Sequence, residues 1–109
     1  MYTFKLLNEL GNTMRKHDDL PIAVQLYKKA LLSIKIRFKN DYLQMRDTAK
    51  ILINVASTEF MQDEGTEALR YYKHALNVFK NCEDYPSDLI EEIRRKYLGK
   101  LDIYATANQ

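Results

Sequence analysis

A shift of 45 residues lays this chain over itself: Lys5 falls on Lys50, Leu7 on Leu52, Ala23 on Ala68, Tyr27 on Tyr72, Lys28 on Lys73, Ala30 on Ala75 and Leu31 on Leu76. A chain built this way repeats one supersecondary unit, and the spacing of its apolar residues says which. They recur at helical intervals, β-branched runs are few, and the two prolines, Pro21 and Pro86, stand where helices should begin. Polar breaks at 16–19, 39–41, 62–65 and 81–87 divide the sequence into five expected helices, roughly 2–16, 20–39, 42–61, 66–81 and 87–106. The first four are two copies of one antiparallel helical hairpin. Asp19, Asp41, Thr66 and Ser87 are placed to cap helix starts, and Asp88, Glu91 and Glu92 suit the dipole of the last helix.

The repeated small residues set the packing. Alanines at 23, 30, 68 and 75 let helix axes approach where they cross, and Tyr27 and Tyr72, one turn away, fill the wider gap beside each crossing. All six are expected to be buried. The chain of 109 residues is one domain, with repeat 1 at 1–40, repeat 2 at 41–82 and a closing helix at 87–106.

Composition removes several classes of function. Three glycines, Gly11, Gly65 and Gly99, lie too far apart for a glycine-rich phosphate loop, so Walker and dinucleotide sites are excluded. One cysteine, Cys82, allows no internal disulfide and no cysteine-based zinc site, and His17 and His74 are too distant in sequence for a short metal motif. No cofactor is expected. The N-terminal stretch lacks the apolar core of a signal peptide, Asn54 interrupts the most apolar run, and no membrane association is read; the expected location is the cytoplasm. A net charge of +2 does not call for nucleic acid.

At this point the residues resemble a known family, the tetratricopeptide repeat. Its helix pairs typically carry Leu-Gly-Asn or a similar triplet in the first helix, then Ala, an aromatic four residues on, and Ala three beyond. Here Leu10-Gly11-Asn12 precedes Ala23, Tyr27 and Ala30, and Asn54-Val55-Ala56 precedes Ala68, Tyr72 and Ala75; Leu98-Gly99 begins a third copy on a helix without a partner. The resemblance implies an all-α fold, a right-handed α-α superhelix of antiparallel hairpins closed by the fifth helix. Glu59 stands where an aromatic is usual, and Lys35 and Lys80 replace a helix-ending proline, so the second helices run on. In this the chain is similar to the longer repeats of kinesin light chains and related adaptors.

The resemblance also implies that the first helices line a concave groove for an extended peptide. On a helical wheel Leu6, Leu7, Leu10, Gly11 and Met14 oppose a polar stripe of Lys5, Asn8, Asn12, Arg15 and Lys16, and in the second copy Ile51, Leu52, Val55 and Ala56 oppose Lys50, Asn54, Ser57 and Met61. The expected peptide-binding residues are Lys5, Asn8, Asn12, Arg15, Lys50, Asn54 and Ser57, joined on the fifth helix by Lys96 and Lys100. Asparagine amides both donate and accept, which suits a peptide backbone, and the lysines suit an acidic or carboxylate-ending ligand. Solvent-facing lysines also serve solubility alone. A specialised form of the family clamps acidic chaperone tails with two asparagines and three basic residues. Asn12 and Asn54 match it, but Asn8 stands where a basic residue is required and Lys96 and Lys100 fit only after a register shift, so that clamp is incomplete.

Other constellations are weaker. His17 lies in a turn, His74 beside Ala75, and neither has a serine or cysteine at a suggestive spacing; Cys82 has only Lys80 nearby as a cation, against Glu83 and Asp84. The acidic pairs at 18–19, 63–64 and 91–92 coincide with turns or a helix start. The chain reads as a non-enzyme. Arg94-Arg95-Lys96 with Tyr97 and Tyr104 offers a nucleic-acid alternative, but Leu89, Ile93, Tyr97, Leu101 and Tyr104 form one inward stripe. Assembly is the remaining alternative. Two hairpins are fewer than a stable array needs, and Ile22 and Leu26 at the first hairpin's outer face have no lid, so a homodimer or a larger complex would cover them.

Overall fold

The computed structural model describes residues 2–82, together with Ser87, Ile90, Glu91, Arg94 and Arg95. Among them are four α-helices and no strand: α1 (Thr3–Lys16), α2 (Leu20–Phe38), α3 (Arg46–Met61) and α4 (Gly65–Lys80), with a 3-10 helix at Lys39–Gln44 between α2 and α3. They form two successive hairpins, α1 with α2 and α3 with α4, and α3 packs against α2 to join them. The expected closing helix at 87–106, with Lys96, Lys100 and Leu98-Gly99, lies outside the described residues except for the five named above.

The self-similarity extends to the turns. Asp18 and Asp63, 45 positions apart, both adopt φ 62°, a left-handed conformation that aspartate tolerates better than most side chains. In each turn the following amide reaches back five residues, Asp19 N–H to the Met14 carbonyl at 2.8 Å and Glu64 N–H to the Glu59 carbonyl at 2.9 Å. That pattern satisfies the carbonyls a helix end leaves open, and it stops α1 and α3 in the same way.

Four local expectations are corrected. The third helix begins at Arg46 rather than near 42, because Lys39 takes φ 51° and the chain winds through the 3-10 helix before Met45, extended at ψ 131°, leads into α3. Asp41 therefore lies inside the 3-10 helix and caps nothing. Asp19 does hold the N-cap position of α2, but its side chain makes no capping hydrogen bond; Pro21 in the first turn supplies the preset φ instead. Thr66 lies inside α4, whose N-cap is Glu64.

The core is two contiguous clusters. Phe4, Ala23, Tyr27, Ala30 and Ile34 fill the first hairpin, and Ile51 and Val55 of α3 insert into it. Ala49, Leu52, Ala56, Ala68, Tyr72, Ala75, Val78 and Phe79 fill the second, with Ile90 against them. Leu31 and Tyr71 touch both clusters, so the hairpins share one interior. The six repeated alanines and tyrosines are all buried, as their spacing predicts. Leu6 and Leu10, grouped by the helical wheel with the inward residues of α1, are instead exposed, as is Ile22 of α2.

Candidate functional site

The polar stripes of α1 and α3 meet along a seam. Asn54 Nδ2 donates to Asn8 Oδ1 at 2.9 Å, and Arg15 Nη1 donates to Ser57 Oγ at 3.1 Å. The Ser57 hydroxyl in turn donates to the Asn54 carbonyl at 3.3 Å, which fixes it as an acceptor for Arg15. Two hydrogen bonds thus cross from one repeat to the other, both between side chains that sequence spacing put on the same stripe.

Asn12 is committed inward. The Tyr27 hydroxyl donates to its Oδ1 at 2.6 Å, and the Arg15 guanidinium lies 5.8 Å from the Tyr27 ring. Burial raises the Tyr27 phenol above its ordinary pKa, and the positive charge of Arg15 opposes that shift. Asn12 therefore serves the packing of α1 on α2, and Arg15 serves both that packing and the seam.

Beyond Asn8 the seam opens into a cleft of about 400 Å³ between α1 and α3, lined by Phe4, Lys5, Asn8, Glu9, Asp47, Lys50 and Ile51. Lys5 and Lys50 both line it. Glu9 and Asp47 share the cleft, so its charge is mixed rather than simply basic. The stripes read from the sequence left them out, although Glu9 four residues after Lys5 and Asp47 three before Lys50 fall on the same sides of their helices. Lys96 and Lys100 lie outside the described residues.

Away from this face, Glu59 is 6% exposed and its carboxylate sits 3.5 Å from the Lys28 ammonium of the first hairpin. An acid has replaced the usual aromatic because a cation across the hairpin junction receives it. Lys28 and Arg70 also flank the Tyr71 ring, at 5.6 and 5.0 Å from its centroid. His17 and His74 are both exposed. The Cys82 thiol donates to the Val78 carbonyl at 3.4 Å; burial pushes its pKa up, and Arg46, far off in sequence, pulls weakly the other way. No helix among the described residues is long and apolar enough to cross a membrane.

Comparison with known proteins fits this geometry. Residues 48–81, which span nearly all of α3 and all of α4, match the family model for the tetratricopeptide repeat. No curated protein and no solved structure matches the chain.

Proposed function

We propose that this member of the tetratricopeptide repeat family is a protein-interaction scaffold whose α1 and α3 face holds an extended partner segment. The family is a protein-interaction fold, and that much stands without the details of the groove. The observation that supports the groove is the seam itself: Asn8, Asn54, Arg15 and Ser57 are held by one another rather than by random solvent contacts, next to a cleft with an apolar floor. Groups already oriented lose less entropy when a ligand arrives. The ligand is a peptide or protein segment whose acidic residues face Lys5, Lys50 and Arg15, while Glu9 and Asp47 set a second, opposite preference along the same cleft. The working location is the cytoplasm, and the chain performs no chemistry on its ligand.

Affinity capture with wild type and with Asn54→Ala and Lys50→Glu variants tests this reading. A partner bound through the seam is retained by wild type and reduced about tenfold or more by either change. Equal capture by all three proteins would exclude the α1 and α3 face.

A second reading is assembly, favoured by the exposure of Leu6, Leu10 and Ile22 on the outer side of the first hairpin. Sedimentation distinguishes it. Self-association through that side is insensitive to salt and removed by Leu6→Glu, whereas peptide capture weakens with ionic strength as screening shortens the reach of charge to about 8 Å at 0.15 M.

A further inference from the structure

The face made by α2 and α4 carries its own docking geometry. From Leu20 to Asn40 there is no acidic residue, yet the stretch holds Lys28, Lys29, Lys35, Arg37 and Lys39, all exposed. Between these cations α2 presents Leu32 and Ile36, one turn apart and 58% and 68% exposed, the two most exposed of the large apolar side chains described. A solvent-facing stripe with no partner gains nothing from leaving two aliphatic groups in water.

Beside Leu32 the surface becomes concave. Leu31, Leu32, Lys35, Tyr42, Thr48, Leu52, Tyr71 and His74 surround a pocket of about 250 Å³ at the junction of the two hairpins, with the 3-10 helix as one wall. Apart from Lys35 and His74, its lining is aliphatic, aromatic or the buried Thr48, whose hydroxyl has no hydrogen-bond partner among the described residues. An apolar cavity of about 150 Å³ is enough to hold benzene, so one leucine or phenylalanine side chain fits here. The Lys35 ammonium lies 6.0 Å from the centre of the Tyr42 ring, at the side of the pocket. The acids nearby leave most of this charge in place: Glu59 takes Lys28, Glu67 is paired with Arg70 at 2.7 Å, and Asp41 on the 3-10 helix stands against Lys29, Lys35, Arg37 and Lys39.

We propose that the α2 and α4 face is a second binding surface, taking an acidic partner segment that anchors one leucine or phenylalanine in the pocket beside Leu32. Charge sets the occupant: Lys29, Lys35, Arg37 and Lys39 attract carboxylates, and the apolar pocket beside Leu32 selects one bulky residue among them. A membrane surface would meet the same cations. A pocket walled on several sides fits an anchoring side chain better than it fits a flat lipid interface.

The probe is a fluorescein-labelled acidic dodecapeptide of glutamate and aspartate with a central Leu-Phe pair, compared with the same peptide carrying Ala-Ala there, both followed by anisotropy. Wild type is expected to bind the Leu-Phe peptide about tenfold more tightly than the Ala-Ala peptide. Leu32→Glu and Lys35→Glu each weaken it by about tenfold, while Lys50→Glu, in the cleft between α1 and α3 that also takes acidic segments, leaves the ratio between the two peptides within about twofold. Leu32 and Lys35 are exposed, and thermal melts check that both variants stay folded; the peptide comparison needs no variant at all. Equal affinity for the two peptides, a ratio between them that Lys50→Glu removes and Leu32→Glu does not, or no saturable binding overturns the proposal. So does binding confined to vesicles containing phosphatidylserine and abolished by Leu32→Glu, which would assign the face to a membrane.

Discussion

Gly11 and Tyr27 are packed so closely that a methyl group on Gly11 would stand 2.6 Å from Tyr27 Cε1 and 2.8 Å from Cδ1. The glycine is there because α1 lies directly against a buried aromatic ring of α2. The ring cannot withdraw, since its hydroxyl is held by Asn12 and its edges are enclosed by the first core cluster.

Gly11→Ala is therefore expected to destabilise the fold despite alanine's better helix propensity. Overpacking costs about 1 to 3 kcal/mol, against a gain of about 1 kcal/mol from propensity, so the net loss is visible as a lower melting midpoint. The equivalent position in the second copy already carries Ala56, and Ala56→Gly should lose stability rather than gain it. Thermal unfolding of the two variants side by side checks both signs.

Tyr27 makes stability pH-dependent at the alkaline end. Its phenol pKa is raised by burial, so the folded state holds the proton more tightly than the unfolded chain. The contribution is complete below the unfolded phenol value of about 10 and disappears as pH rises through the folded value. Tyr27→Phe loses the bond to Asn12, about 0.5 to 1.5 kcal/mol near neutral pH, and flattens the fall in melting midpoint above pH 10. A fall as steep in the variant as in wild type would assign the alkaline loss to other tyrosines.

Lys28 and Glu59 form a test of how the hairpins recognise each other. Lys28→Met leaves a nearly buried carboxylate without its cation and is expected to cost about 1 to 3 kcal/mol, the lower end reflecting how exposed the ammonium is. Adding Glu59→Leu restores or exceeds wild-type stability, because an apolar pair at this junction carries no desolvation cost. Chemical denaturation of the two single variants and the double variant closes the cycle.

Cys82 is expected to react slowly for a lone thiol. With its pKa raised by burial, its thiolate fraction at pH 8 falls below that of an unperturbed cysteine. Iodoacetamide alkylation is expected to be slower in the folded protein than in denaturant, and its pH midpoint higher. Equal rates in both states would mean that burial does not govern the thiol.

The groove face predicts a coupling. Asn8→Ala and Asn54→Ala each remove one end of the same 2.9 Å bond, so the double variant is expected to lose about 0.5 to 1.5 kcal/mol less than the sum of the singles. Strict additivity would mean that the seam is not formed in solution.

What the sequence alone determined is what depends on repetition. The 45-residue register placed Ala23, Tyr27, Ala30, Ala68, Tyr72 and Ala75 in the interior because helical period and side-chain size are local properties, and two copies of one pattern must pack alike. Even the left-handed conformations of Asp18 and Asp63 repeat, within acidic pairs whose spacing put them in turns. Tertiary structure decided whatever depends on a partner distant along the chain. Glu59 looked like a departure until Lys28 arrived opposite it, Asn12 looked like a groove amide until Tyr27 claimed it, and Glu9 and Asp47 joined the lysines only when α1 came beside α3. The start of α3 also moved, since the chain first winds through the 3-10 helix at Lys39–Gln44, which packs against α2, α3 and α4. A helical wheel ranks the sides of one helix; which side meets another helix, and with what charge, is settled where two helices touch.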